Sequence, residues 1–333
     1  MAEHLNTHEL ALLNDWQHGF PLISRPFTHI AVRHDLPEQD VLNTYIQAEA
    51  DGLLSRIGTI LAPNTIGAST LAAMSVMDGY LELVAELVNE EPGVNHNYER
   101  ENTLNLWFVV TGADRDAVDA TLQRIEQKTG LPVYAFRLQR AYHLDLGFSL
   151  TDKRSAPKAP RPGQANLSCL QADDRPLLQH LENGLPLVAE PFHQIAAELG
   201  RDEEDILARL QCLSEHGIIR RFGTVLHHRR FGFRSNAMAV WDIADDRIND
   251  VAAQFACHPQ VTLCYERNRV NGVWPYNLYC MVHAGAREDA LAVLDELAEV
   301  AGDALNGRDV LFSRRCFKQR GATLTPVYRE AAE

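Results

Sequence analysis

The sequence predicts an α+β chain built by tandem duplication, and three observations carry that prediction. Residues 19–67 align without a gap on residues 184–232, with GFPLISRPFTHIA facing GLPLVAEPFHQIA and SRIGTIL facing RRFGTVL. A second pair of segments repeats further on: VNHNYER (Val94–Arg100) faces VTLCYER (Val261–Arg267), and NLWFVV from Asn105 faces NLYCMV from Asn277. In each copy the hydrophobic period switches from helical to alternating in the same order. Self-similarity is read before any single element because it decides how many structural units a chain contains. Drift in the alignment places a five-residue insertion in the second copy, within NRVNGVWPY.

Taken in order, Thr7 is the expected N-cap of HELALLNDWQHG, whose leucines and Trp16 recur at helical spacing. PFTHIAVRHD follows, then PEQDVLNTYIQAEADG, with Pro37 and acids in its first turn and Gly52 as its stop. Alternating LLSRIGTIL and turn-rich APNTIG complete a unit of three helices and two strands, a winged helix-turn-helix pattern. The rest of the copy reads as strand (LAAMSVM), helix (YLELVAELVNEEPG), two strands (VNHNYER, LNLWFVV), helix (ADRDAVDATLQRIEQKTG) and strand (VYAFRLQRA). NAMAVWDI, DRINDVAAQFACHP, VTLCYER, NLYCMVHA, AREDALAVLDELAEVAG and DVLFSRRCF repeat that order. βαββαβ is the ferredoxin-like unit, with helices on one face of an antiparallel sheet. Its open face needs a cover, and the other copy's sheet is the expected one.

The predicted domains are therefore a winged helix-turn-helix at 1–67, a ferredoxin-like domain at 68–150, a linker at 151–172, and the second copies at 173–232 and 233–325. TDKRSAPKAPRPGQAN, between the copies, lacks core-forming residues and reads as an extended tether. The two copies are expected to pair as a covalent pseudo-dimer.

Composition excludes several classes. No apolar run approaches the ~18 residues of a membrane span, and MAEHLNTHELALLNDW has no secretory hydrophobic region, so a cytoplasmic protein is expected. The six cysteines form no CxxC pair and no zinc spacing, so reduced thiols and no protein-held metal are expected. Net charge is −14, and the first 150 residues hold nine Lys and Arg against twenty Asp and Glu. The first recognition-helix candidate, Pro37–Asp51, has no basic residue but carries Glu38, Asp40, Glu49 and Asp51. The second, Arg201–Glu215, sets Arg201 and Arg209 against Asp202, Glu203, Glu204, Asp205 and Glu215. Reading a phosphate backbone needs the opposite balance, so no DNA partner is expected.

Basic residues concentrate elsewhere. RRFGTVLHHRRFGFR contains Arg220, Arg221, Arg229, Arg230 and Arg234 with His227 and His228, where the first copy keeps only Arg56. With Arg267 and Arg269 these residues suit a receptor for several carboxylates, since guanidinium groups bind carboxylates through paired, directional bonds; a solvated wing is the plain alternative. His96 lies on a strand pattern in alternation with Val94 and Tyr98, and Tyr98 and Arg100 share its face at two-residue spacing. The second copy keeps Tyr265 and Arg267 but has Leu263 in place of the histidine. Trp274, Tyr276, Tyr279 and Trp107 are either core between sheets or an aromatic wall for a flat ligand. Asn105 and Asn277, polar groups in apolar strands, must find partners.

A winged helix followed by a ferredoxin-like domain is similar to the leucine-responsive, AsnC-type transcription regulators. With HNYER, NLWFVV, CYER and WPYNLYCMV in place on two such halves, the chain resembles the siroheme decarboxylases of d1-type haem biosynthesis, in the fused form that joins D-like and L-like subunits. That resemblance implies conversion of the C12 and C18 acetates of siroheme to methyls, giving 12,18-didecarboxysiroheme, with no cofactor beyond the iron-containing substrate. His96 would then be the general acid with Tyr98 assisting, and Arg100, Arg267 and the Arg220–Arg234 stretch would hold carboxylates. His227 and His228 are the alternatives for a second acid or an axial ligand to the substrate iron. Tyr265, Trp274, Tyr276, Asn105 and Asn277 complete the expected substrate contacts. A homo-oligomer or a complex with homologous subunits is also implied. An AsnC-type regulator and a non-catalytic tetrapyrrole-binding protein are the competing functions.

Overall fold

The computed structural model describes residues 5–144, 147, 150, 165–231 and 235–320, the side chains of residues 228, 229, 235 and 236 excepted. The first copy supplies α1 (Thr7–Asp15), α2 (Pro26–His34), α3 (Glu38–Ala50), β1 (Leu54–Leu61), β2 (Ala68–Met74), α4 (Leu81–Glu90), β3 (Val94–Arg100), β4 (Leu106–Gly112), α5 (Arg115–Thr129), β5 (Tyr134–Phe136) and β6 (Leu138–Leu144). The second supplies α6 (Asp174–His180), α7 (Pro191–Leu199), α8 (Glu203–Glu215), β7 (Ile219–Leu226), β8 (Ser235–Ile243), α9 (Ile248–Phe255), β9 (Val261–Arg267), β10 (Leu278–Ala284), α10 (Arg287–Ala301) and β11 (Leu305–Gln319). The α+β duplication is as the sequence predicts. Local signals explain most element ends. Pro26 and Pro191 open α2 and α7, and Asp114 caps α5, which ends at the left-handed Gly130. The cap of α1 is Asn6, one residue before the expected Thr7, because Asn6 and Glu9 close a capping box.

The chain folds into two compact units, and each joins equivalent parts of both copies. One contains α1–α3, α6–α8, β1 and β7. Here the expected two-stranded wing is corrected. Each copy contributes one strand, and β1 pairs antiparallel with β7, Gly58 opposite Gly223. A side chain at Gly223 would overlap the Trp16 and Gln17 carbonyls, so only glycine lets the α1 end pass this close. The turn-rich segment 62–67 that closes the wing pattern holds no strand, and the next strand, β2, belongs to the other unit's sheet.

That other unit is a nine-stranded sheet in the order β5-β2-β4-β3-β11-β8-β10-β9-β6. Its two edge strands follow one another in sequence with only Arg137 between them, so the sheet curls round on itself. The final strand of each copy makes the exchange. β5 pairs with β2 of its own copy and β6 with β9 of the other. In the same way β11 pairs first with β8 and then with β3. Outward, α4 and α5 cover one half through Val84, Val88, Phe108, Leu122 and Ile125, and α9 and α10 cover the other through Trp241, Phe255, Val293 and Leu297. Inward, the two half-sheets share a core of Ala73, Trp107, Phe136, Met238, Val240, Trp274, Tyr279 and Leu311. The sheets therefore cover one another, as expected, and are joined at both edges as well.

Candidate functional site

The inner face of the sheet carries the histidine. β3 pairs with β4 in a register that sets Tyr98 opposite Trp107 and His96 opposite Val109, with an irregularity between Val94 and His96. Asn95 is the extra residue of this bulge, and it reverses the expected alternation. Val94 turns outward into the helix-covered core, while His96, Tyr98 and Arg100 share the inner face. Asn97 alternates outward and donates to the Ala85 carbonyl (3.2 Å) and Asn89 Oδ1 (3.0 Å). β11 then lays Gln319 opposite His96 and Cys316 opposite Tyr98, so residues of the second copy border the first copy's histidine.

The His96 and Tyr98 rings lie nearly parallel, with centroids 6.2 Å apart and planes at 23°. Arg100 holds its guanidinium 5.6 Å above the Tyr98 ring and donates to the Leu311 carbonyl at 3.0 Å. His96 Nδ1 is 3.0 Å from Asn95 Oδ1. Half-buried and dehydrated by its surroundings, His96 has its pKa pushed down to about 4. The resting imidazole is thus neutral at pH 7.

The second copy builds the same ladder without the histidine. Tyr265 faces Tyr279 and Leu263 faces Met281 across β9 and β10, while Ala141 and Leu144 of β6 lie opposite Tyr265 and Leu263. Arg267 donates to the Phe136 carbonyl at 2.7 Å and stands over the Tyr265 and Tyr279 rings at 5.4 and 5.8 Å. Burial pulls its pKa down, opposed by the two tyrosines. No carboxylate ion-pairs with Arg267 among the described residues, so it is a cation set in a largely aromatic environment.

Several residues expected to contact the substrate have partners within the protein. Asn105 closes both its amide groups on the Val76 backbone (2.9 and 2.8 Å). Asn277 does the same with Ile243 (2.9 and 2.9 Å) and also reaches Asp245. Both extend a strand pairing past its end, and the buried Asn277 spends both of its amide hydrogens, on Ile243 and Asp245. Trp274 is not an open wall. It packs 5.1 Å from Trp107 and 5.7 Å from Phe136, and its indole N–H lies beside the Tyr279 hydroxyl without closing a hydrogen bond. Tyr276, half-buried, packs edge-on against Trp274. Arg269 is held by Asp242 and Asp245 at 2.7 and 2.5 Å and pins the inserted loop through the Pro275 carbonyl.

In the other unit the arginine-rich stretch is divided. Arg221 is buried and donates to the Gln17 carbonyl at 3.1 Å, so it is part of that unit's interior. Arg220 is half-buried on β7 and Arg230 is exposed. His227 has its pKa lowered by burial and by Arg230. The side chains of His228 and Arg229, and all of Arg234, lie outside the described residues. Sequence reading missed Asn95, Cys316 and Gln319. Only a bulge and a strand exchange bring them to His96, and neither leaves a signal in hydrophobic periodicity.

Comparison with known proteins places these features in context. A model described as "AsnC-like ligand binding domain" matches residues 66–143 and 230–318, and one described as "Siroheme decarboxylase NirDL-like HTH domain" matches 9–54 and 174–220. The siroheme decarboxylase NirDL subunit of Paracoccus denitrificans is 41% identical, with 96% of this chain and 98% of that protein aligned. The siroheme decarboxylase of Hydrogenobacter thermophilus is 31% identical over 91% of this chain and 90% of its own. A crystal structure of the siroheme decarboxylase NirDL in co-complex with an iron-uroporphyrin III analogue superposes with a TM-score of 0.68 at 26% identity, covering 95% of this chain and 93% of that one.

Proposed function

The chain belongs to the family of NirDL siroheme decarboxylases, and from that membership we propose that the inner-face ladder around His96 carries the chemistry on siroheme. The reaction is of the carbon–carbon lyase type. The bond between an acetate methylene and its carboxylate breaks, carbon dioxide leaves, and the electron pair passes into the macrocycle. A proton then returns to the carbon, making a methyl at C12 or C18. Each decarboxylation consumes one proton, and the iron is part of the substrate.

His96 is the residue suited to supply that proton, and one observation carries the reading. The two inner ladders share tyrosine and arginine, yet only β3 adds a titratable ring. A dehydrated imidazole is neutral before substrate arrives. The carboxylates of a bound tetrapyrrole favour the imidazolium, so substrate binding recruits the proton that the reaction then spends. Tyr98 backs the ring, and Arg100 and Arg267 hold carboxylates. A positioned acid of this kind contributes about 10²–10⁴ in rate.

Anaerobic incubation with siroheme, followed by mass spectrometry, tests the reading. Loss of about 44 and then about 88 mass units, one and two molecules of carbon dioxide, is expected. Binding of siroheme without any mass change would instead make the protein a carrier.

A further inference from the structure

The bulge in β3 holds a residue that the reaction as described does not use. Asn95 is 3% exposed, its backbone carbonyl is anchored by the Arg320 N–H at 2.9 Å, and its Oδ1 faces His96 Nδ1 at 3.0 Å. Bulges next to active sites re-aim side chains. Here the extra residue turns its own side chain onto the ring that the bulge brings to the inner face. We propose that Asn95 is a positioning residue that holds His96 as the Nδ1–H tautomer, so that Nε2 is the ring atom through which the reaction's proton moves. An amide oxygen accepts and never donates. Nδ1 therefore keeps its hydrogen in both the neutral and the protonated ring, and gain and loss of a proton fall to Nε2.

The second copy supplies an internal control. Its β9 strand has the same irregularity, between Val261 and Leu263. The residue there is Thr262, whose hydroxyl contacts the Met281 carbonyl and His283 Nδ1 (3.3 and 3.0 Å). The bulge is thus shared by both copies, while an amide oxygen stands at the bulge only where the same strand carries a histidine on its inner face; Thr262 meets His283 of β10 instead. Around His96 the neighbouring strands offer Val109, Gln319 and Cys316, and no other contact to Nδ1 competes with Asn95 among the described residues.

The proposal rests on the assignment of His96 as proton donor, and its test separates the two. Long-range ¹H–¹⁵N correlation of histidine rings in the ligand-free protein, with His96 identified by its loss in His96→Gln, is expected to show pyrrole-type Nδ1 and pyridine-type Nε2 at pH 7. Asn95→Thr, which installs the second copy's own residue and so preserves the bulge, is expected to give mixed tautomers. Its kcat should fall about 10- to 100-fold at nearly constant KM, a part of the ~10²–10⁴ that a placed acid supplies. Asn95→Asp is expected to restore the Nδ1–H tautomer and move the alkaline limb of the rate profile to higher pH. A native Nε2–H tautomer, or an Asn95→Thr variant with unchanged tautomer and kcat, would overturn the proposal. If His96→Gln kept full activity while Asn95 still fixed the tautomer, the donor assignment would fail and the positioning contact would stand.

Discussion

β3 and β9 are equivalent strands in a duplicated sheet, and they differ most where their inner faces meet the last strand of the opposite copy. β3 offers His96, Tyr98 and Arg100, bordered by Gln319 and Cys316 of β11. β9 offers Leu263, Tyr265 and Arg267, bordered by Leu144 and Ala141 of β6. Tyrosine and arginine survive in both, while each remaining polar position of one ladder is apolar in the other. Duplication preserved the frame that stacks a guanidinium on a phenol, since that frame also holds the sheet edges together through the Leu311 and Phe136 carbonyls. Under the proposed function, proton chemistry falls to one side only. That reading divides one curled sheet into a binding half and a reacting half.

The largest expected effect separates the two ladders directly. His96→Ala should lower decarboxylation by about 10²–10⁴ while siroheme still binds, read as carbon dioxide loss by mass spectrometry alongside an absorbance titration. The same substitution should leave the second ladder unaffected, so a variant that failed to bind at all would contradict the division of labour.

Next in size is a stability effect with a defined sign. The His96 ring titrates at about 4 in the folded protein against an ordinary 6.5. As pH falls, the unfolded chain binds the proton first. Stability from this group is whole above about 6.5 and is lost progressively toward pH 4, by up to about 3 kcal/mol. Urea unfolding of the protein and of His96→Leu across that range should show a shallower acid slope in the variant. Parallel slopes would remove the dehydrated-histidine description.

Arg267→Ala should act on binding and hardly on the chemical step. Loss of a charged hydrogen-bonding group costs about 1.5–3 kcal/mol, so KM or Kd for siroheme should rise roughly 10- to 100-fold with kcat nearly kept. Equal losses in kcat would place Arg267 at the reacting acetate instead. The smallest effect belongs to Arg230→Ala. An exposed guanidinium contributes about 0–1 kcal/mol to holding a carboxylate, so affinity should change fivefold at most in an isothermal titration. A larger loss would restore the arginine-rich stretch of the other unit as the main carboxylate receptor.

Much of this was legible from residues alone because duplication is a linear signal. Gap-free alignment, Pro at the starts of α2 and α7, and glycine at helix ends are local, and so is the pairing of HNYER with CYER. Asn105 and Asn277 mark the limit of such reading. Polar residues in apolar strands must find partners, but the sequence could not say that the partners would be the Val76 and Ile243 backbones. Arg221 and Arg230 make the same point in a basic run, since one is interior and the other exposed.

By itself, then, the sequence determined the repeat, the α+β order, the acidic balance of the helices, and the histidine at 96 where the second copy has Leu263. These depend on residue identity and short-range spacing. Tertiary structure alone decided that the wing strands pair with each other, that β6 and β11 cross between copies, and that a bulge at Asn95 turns His96 inward. Strand partners are chosen by contacts distant in sequence, and one inserted residue reverses every side chain's face without altering composition.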